Sequence, residues 1–166
     1  MLTEQFLNEL ITCRKIAEKA DRRRMILDNR HYKNSVSLSS EDSKYKFRMF
    51  IRQSDEFHED FSVGLIWLNP QEYIDVQKSI IMYRCQGPHD GRQELGVDIH
   101  HSYHTHTITL SDIQSKRYLK PSNRESTDKF DTFDRAILHF VQHCNIINID
   151  NVIEMPSYEE QLSLDY

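Results

Sequence analysis

Between Lys44 and Gln53 the side chains alternate, with Tyr45, Phe47, Met49 and Ile51 on one side and Lys44, Lys46, Arg48 and Arg52 on the other. Residues two apart share a face of a β-strand, so this segment buries one face and wets the other, and it needs a sheet to do so. A shorter alternating strand, Ser35–Ser39, precedes it, and Glu41-Asp42-Ser43 reads as the turn between them. Phe61 to Leu68 is apolar on both faces, the pattern of a central strand, and Asn69-Pro70 closes it. Ile80–Cys85 is expected to be another strand, ended by Gly87-Pro88, and the β-branched and aromatic stretch 98–110 a last one.

Two segments carry the helical period instead. In residues 3–20, Phe6, Leu7, Leu10, Cys13, Ile16, Ala17 and Ala20 form one stripe, with Thr3 as cap and Glu4 in the first turn. Residues 127–144 place Phe130, Phe133, Ile137, Phe140, Val141 and Cys144 on one side, after a start signal at Ser126 and Asp128. The expected architecture is one α+β domain over residues 1–150: an antiparallel sheet of four to five strands with the N-terminal and C-terminal helices packed on one face. Residues 151–166 follow as an acidic C-terminal tail.

The 166 residues suffice for one core, and no apolar run approaches the roughly 18 residues of a membrane span. The first residues lack the basic and apolar regions of a secretory leader. Cys13, Cys85 and Cys144 are odd in number and far apart, which gives no disulfide framework. A cytoplasmic setting without membrane contact is the expectation.

The formal net charge is −5, which speaks against a protein that is basic all over. The cations are nonetheless clustered. Arg22, Arg23 and Arg24 sit in a basic run between Arg14 and Lys33, part of which a helix C-terminus would explain. Lys44, Lys46, Arg48 and Arg52 would stand at about 7 Å steps along one strand face, close to phosphate spacing, with Tyr32 and Phe50 nearby to stack bases. These seven cations are the candidate nucleic-acid contacts.

Nine histidines are present, four of them in His100-His101-Ser-Tyr-His104-Thr-His106. On a strand His100, His104 and His106 share a face, aligned with Ile108 and Leu110 and hence expected to point coreward. If the strand ending at Cys85 pairs with this one, Arg84 and His89 approach the cluster. The residues admit three chemistries. His104 and His106 can act as acid and base on a ribose 2′-OH and a leaving oxygen, with His89 assisting and Arg84 on the phosphate. Alternatively, His100, His104 and His106 can hold zinc. The imidazoles can also simply hydrogen-bond their neighbours. Elsewhere, His139 and His143 have the i,i+4 spacing of a ligand pair but fall opposite the helix stripe, and Cys85 beside Arg84 is a candidate for a lowered thiol pKa.

The pattern Tyr83-Arg84, Gly87-Pro88-His89, His101-Ser-Tyr-His104-Thr-His106 resembles an uncharacterised family of small bacterial proteins and, more remotely, the TumE-like toxins of toxin–antitoxin pairs. The resemblance spans residues 45–145. It implies an Arg-bearing strand, a His-rich loop and a His-x-His strand, and it implicates Arg84, His89, His104 and His106. Two functions are therefore expected. One is a non-catalytic bacterial or mobile-element protein that binds and regulates a larger protein or ribonucleoprotein complex, defence-associated and of the kind a CRISPR effector represents. The other is a toxin-like, metal-independent endoribonuclease. RNA and a second copy of this chain are the other expected partners, and the split charge motivates both.

Overall fold

The computed structural model describes residues 2–88 and 102–156. In chain order the elements are α1 (Glu4–Thr12), β1 (Lys15–Ala20), β2 (Ile26–Asp28), β3 (His31–Ser40), β4 (Lys46–Ser54), β5 (Phe61–Trp67) and β6 (Ile80–Gln86). They are followed by β7 (His104–Thr107), α2 (Leu110–Gln114), β8 (Asn123–Ser126), α3 (Phe133–His143) and β9 (Ile146–Ile147). Eight strands form one sheet in the order β8-β7-β6-β5-β4-β3-β1-β9, and β2 pairs with β3 beyond the end of β1. Every pairing is antiparallel except β1 with β9.

This corrects the expected four-to-five-stranded antiparallel sheet with terminal helices on one face. The sheet is mixed and has nine strands; the segment 3–20, expected to be only helical, supplies β1 to it, and β9 comes from the residues just past the expected helix 127–144. The first helix starts as expected, with the Thr3 hydroxyl accepting from the Phe6 N–H at 3.0 Å, but it stops at Thr12 instead of residue 20. Lys15 ends it. This side chain is fully buried, and its ammonium donates to the carbonyls of Ile11 (2.6 Å), Cys13 (2.8 Å) and Cys144 (2.9 Å). One cation thus satisfies carbonyls at the C-terminal ends of both α1 and α3, which a continued helix would not permit. Ile16, Ala17 and Ala20 fit a stripe of either period, and tertiary pairing with β3 decides for strand. Helix α3 also begins later than expected, because Thr132 caps it by accepting from the Arg135 N–H.

The core face of the sheet carries Phe47, Met49 and Ile51 from β4 with Val63, Leu65 and Trp67 from β5, all buried. Against it lie α3, through Phe133 on Phe61 and Phe140 on Tyr83, and α1, through Phe6 on Trp67. The opposite face of β4 shows Lys46, Arg48 and Arg52 exposed and Phe50 half-buried. That open face holds most of the candidate residues.

Candidate nucleic-acid interface

Directly opposed residues on paired strands share a face, so the register lays the open face out in rows. One row runs Phe50, Gly64, Arg84, His106, Arg124 across β4, β5, β6, β7 and β8. The next runs Lys33, Arg52, Ser62, Gln86, His104, Ser126, beginning on β3. On the other side of the first row Arg48 stands between Ser37 and Ile66, and Lys19 of β1 faces Ser37. Seven basic side chains (Lys19, Lys33, Lys46, Arg48, Arg52, Arg84 and Arg124) therefore share one face of a protein that is acidic as a whole.

The middle of the first row is shaped by a missing side chain. A Cβ on Gly64 would stand 2.2 Å from Cε1 and Cζ of Phe50, so the ring occupies the space a larger residue would fill. Arg84 closes over the same ring, its guanidinium carbon 5.7 Å from the centroid. The Arg84 Nε is buried and has no hydrogen-bond partner among the described residues, and the same holds for the Ser62 hydroxyl in the adjoining row. Burial holds the Arg84 guanidinium below its usual pKa. An aromatic plane, a guanidinium within cation–π range of it and unused hydrogen-bonding capacity thus meet at the centre of the basic face.

The register places His106 directly opposite Arg84, which brings together two of the four residues expected to be catalytic. His104 follows on the same face, its ring centroid 4.9 Å from that of His106. The histidines therefore face away from the helices, contrary to the coreward alignment expected from Ile108 and Leu110, because β7 ends at Thr107 and α2 begins at Leu110. Both are buried all the same. His104 Nδ1 donates to the Ser102 carbonyl at 2.7 Å and His106 Nδ1 to the Pro121 carbonyl at 3.2 Å. Those carbonyls fix the proton on Nδ1, leaving Nε2 as the basic nitrogen of each ring. Burial holds His106 down to about 4, so it is neutral at physiological pH, and nearby His104, Arg84 and Arg124 act in the same direction. Two such imidazoles suit a metal, yet no group of three His, Cys, Asp or Glu side chains arranged for one occurs among the described residues. His89 and His100, expected as catalytic assistant and metal ligand, lie outside the described residues.

Of the other expected contacts, Lys46, Arg48 and Arg52 project from the open face, while Lys44 lies in the loop before β4. Arg22, Arg23 and Arg24 follow a strand and not a helix, so no helix terminus accounts for them. Arg24 is paired with Glu154, and Arg22 is held through its backbone by Asn34. Phe50 is on the face as expected, but Tyr32 pairs with Gln53 and belongs to the core side. Cys85 is fully buried, which pushes its thiol pKa well up and removes it as a nucleophile. His139 is bound to the Tyr83 hydroxyl at 3.2 Å, and Tyr83 stacks on His143, so this pair joins α3 to the sheet instead of merely meeting solvent.

Sequence reasoning missed Lys19, Lys33 and Arg124 as face residues and gave Gly64 no role. An isolated glycine inside an apolar strand was the available signal of a close approach. The chain matches no protein-family model, no curated protein and no solved structure, so the sheet face is read from its own geometry.

Proposed function

We propose that the open face of the sheet binds single-stranded nucleic acid and that the protein works as a non-catalytic nucleic-acid or nucleoprotein-binding module. The observation that carries this is the Phe50–Gly64–Arg84 arrangement: an aromatic ring seated over a glycine, with a guanidinium carbon 5.7 Å from its centroid, inside a field of cations. Bases stack on such a plane whatever their sequence, and the surrounding Lys and Arg side chains follow the phosphates. The row from Phe50 to Arg124 crosses four strand spacings, roughly 19 Å, enough for a short stretch of strand. Such a face supports the reading as a nucleoprotein-binding module.

The test is fluorescence anisotropy with labelled ten-nucleotide RNA and DNA, single-stranded and duplex, at low and moderate salt. Single strands should bind more tightly than duplex, because stacking needs an unpaired base. Phe50→Ala should weaken binding about 5- to 150-fold, the loss of one base stack. Arg48→Ala should lower the salt slope by roughly 0.7, as for one phosphate contact on a single strand. An absence of binding at low salt, or a Phe50→Ala protein that binds like the wild type, would overturn the proposal.

One observation favours RNA cleavage as a second reading: the register that sets Arg84 against His106. The burial of both imidazoles and the neutrality of His106 weigh against an acid–base pair. Electrophoresis of the same RNA decides it. Cleavage that disappears in a folded His106→Ala protein would establish the enzyme, and intact RNA would dismiss it.

A further inference from the structure

Beside Phe50 the open face is not flat. The chain leaves β1 at Ala20 and rejoins the same edge of β3 as β2 at Ile26, so five residues bow outward between two pairings with one strand. Asn34 pins this excursion. Its Oδ1 accepts from the Arg22 N–H at 3.1 Å and the Ser35 N–H at 2.9 Å, while its Nδ2 donates to the Arg22 carbonyl at 2.7 Å. The result is a cavity of about 660 Å³ lined by both Ile26 and Phe50. Lys33 and Arg52, opposite one another in the register, with Lys19 and Arg22, add cations to its lining. Asp21 and Asp28 are the carboxylates that line it.

We propose that this cavity seats one base of the bound strand, and that it selects a base bearing an exocyclic amine, adenine, cytosine or guanine, over uracil. The inference rests on the nucleic-acid-binding reading and adds base selectivity to it. Phe50 and Ile26 offer the apolar contact a heterocycle needs, and about 660 Å³ is ample for a nucleotide and its water. Arg52 and Lys33 supply the phosphate contact, and Lys33 is itself held by Asp28 at 3.5 Å. The two carboxylates decide the selectivity. A carboxylate accepts hydrogen bonds and donates none, so it pairs with the amino group of adenine, cytosine or guanine and repels the O4 carbonyl that uracil presents where cytosine carries its amine. Two carboxylates among the cations of the lining are otherwise a cost in a site meant for a polyanion, and recognition of an amine gives them a purpose.

Anisotropy with decamers of adenylate, cytidylate and uridylate tests this on the full chain. The adenylate and cytidylate strands should bind about tenfold more tightly than uridylate. In the double variant Asp21→Asn with Asp28→Asn the three should converge to within about twofold. Ile26→Trp fills the cavity from a position already 45% exposed, so the fold tolerates it, as a thermal melt will confirm. It should reduce adenylate and cytidylate binding to the uridylate level and leave uridylate unchanged. Equal binding of all three strands by the wild type, still weakened by Phe50→Ala, would refute the base pocket while upholding the sheet face. A preference unchanged by the Asp double variant and by Ile26→Trp would also refute it. If no strand binds, the nucleic-acid reading itself falls, and this inference with it.

Discussion

Gly64→Ala is the substitution through which the geometry of the open face can be tested most directly. The added Cβ would lie 2.2 Å from two ring carbons of Phe50, more than 1 Å inside van der Waals contact. What it meets is the end of a side chain on the solvent face and not backbone, so the ring can swing aside. Displacing it sacrifices packing and forces a poorer rotamer, which together cost about 1–3 kcal/mol. Against that, replacing glycine inside a strand recovers roughly 0.5–1 kcal/mol of backbone entropy. The net expectation is a loss of about 0.5–2 kcal/mol, measured by urea denaturation with an unchanged m-value. The cycle with Phe50→Ala isolates the cause. With the ring gone the clash is gone, so Gly64→Ala should be neutral or stabilise by up to about 1 kcal/mol in that background. Nucleic-acid binding should follow the ring, with Gly64→Ala alone losing nearly as much affinity as Phe50→Ala. If Gly64→Ala costs the same in both backgrounds, the ring is not what fills the space above the glycine, and the platform argument fails.

Gly87→Ala should be far worse, at about 3 kcal/mol or more, because its Cβ would meet the backbone carbonyl oxygen of Glu59 at 1.8 Å; a thermal melt close to the wild type would contradict this. His106 is held at about 4 by burial, against an ordinary value of 6.5, so between those pH values the unfolded chain takes up a proton that the folded protein refuses. Stability should therefore rise as pH increases from 4 to 6.5, by up to about 3 kcal/mol from this group. His139 and His143, also held low by burial, act in the same direction. Urea midpoints should show the slope and His106→Gln should shrink it, whereas identical slopes in the two proteins would count against the assignment. Lys15→Met keeps the aliphatic stem but leaves three carbonyls without their donor; removing the buried charge offsets part of that, and a loss of about 2–3 kcal/mol is expected by denaturant titration. A Lys15→Met protein as stable as the wild type would show that the three carbonyls find other partners.

How much of this was legible depended on whether burial left a period in the sequence. Strand β4 was legible because one face is buried and the other wet, and β5 because Phe61, Val63, Leu65 and Trp67 recur at every second position. The stripe of α3 was equally plain. Strands β2 and β8 are exposed at every position, so no hydrophobic pattern marks them, and β9 has two residues. Strand β1 was hidden because Lys15 has the composition of a surface residue and the burial of a core one. For the site, the two sequence segments bearing Arg84 and His106 were identifiable, but their register was not, because a one-residue slip would have turned every side chain to the other face. The cavity beside Phe50 depends on two separate strands sharing one edge of β3, and no local pattern announces that.

The parallel contact between β1 and β9 sets a timetable for the chain as it is made. Lys15 is synthesised 129 residues ahead of Cys144, whose carbonyl is the third to hold its ammonium, and the outer neighbours of Lys15 and Ile16 are the still later Ile146 and Ile147. Until β9 has paired, β1 is an uncovered sheet edge, and until Cys144 is in place the cation at its root is half-solvated; such an edge recruits whatever strand it meets. A chain ended just after α3, before Ile146 and Ile147, would therefore yield a sheet still open for pairing with another nascent chain.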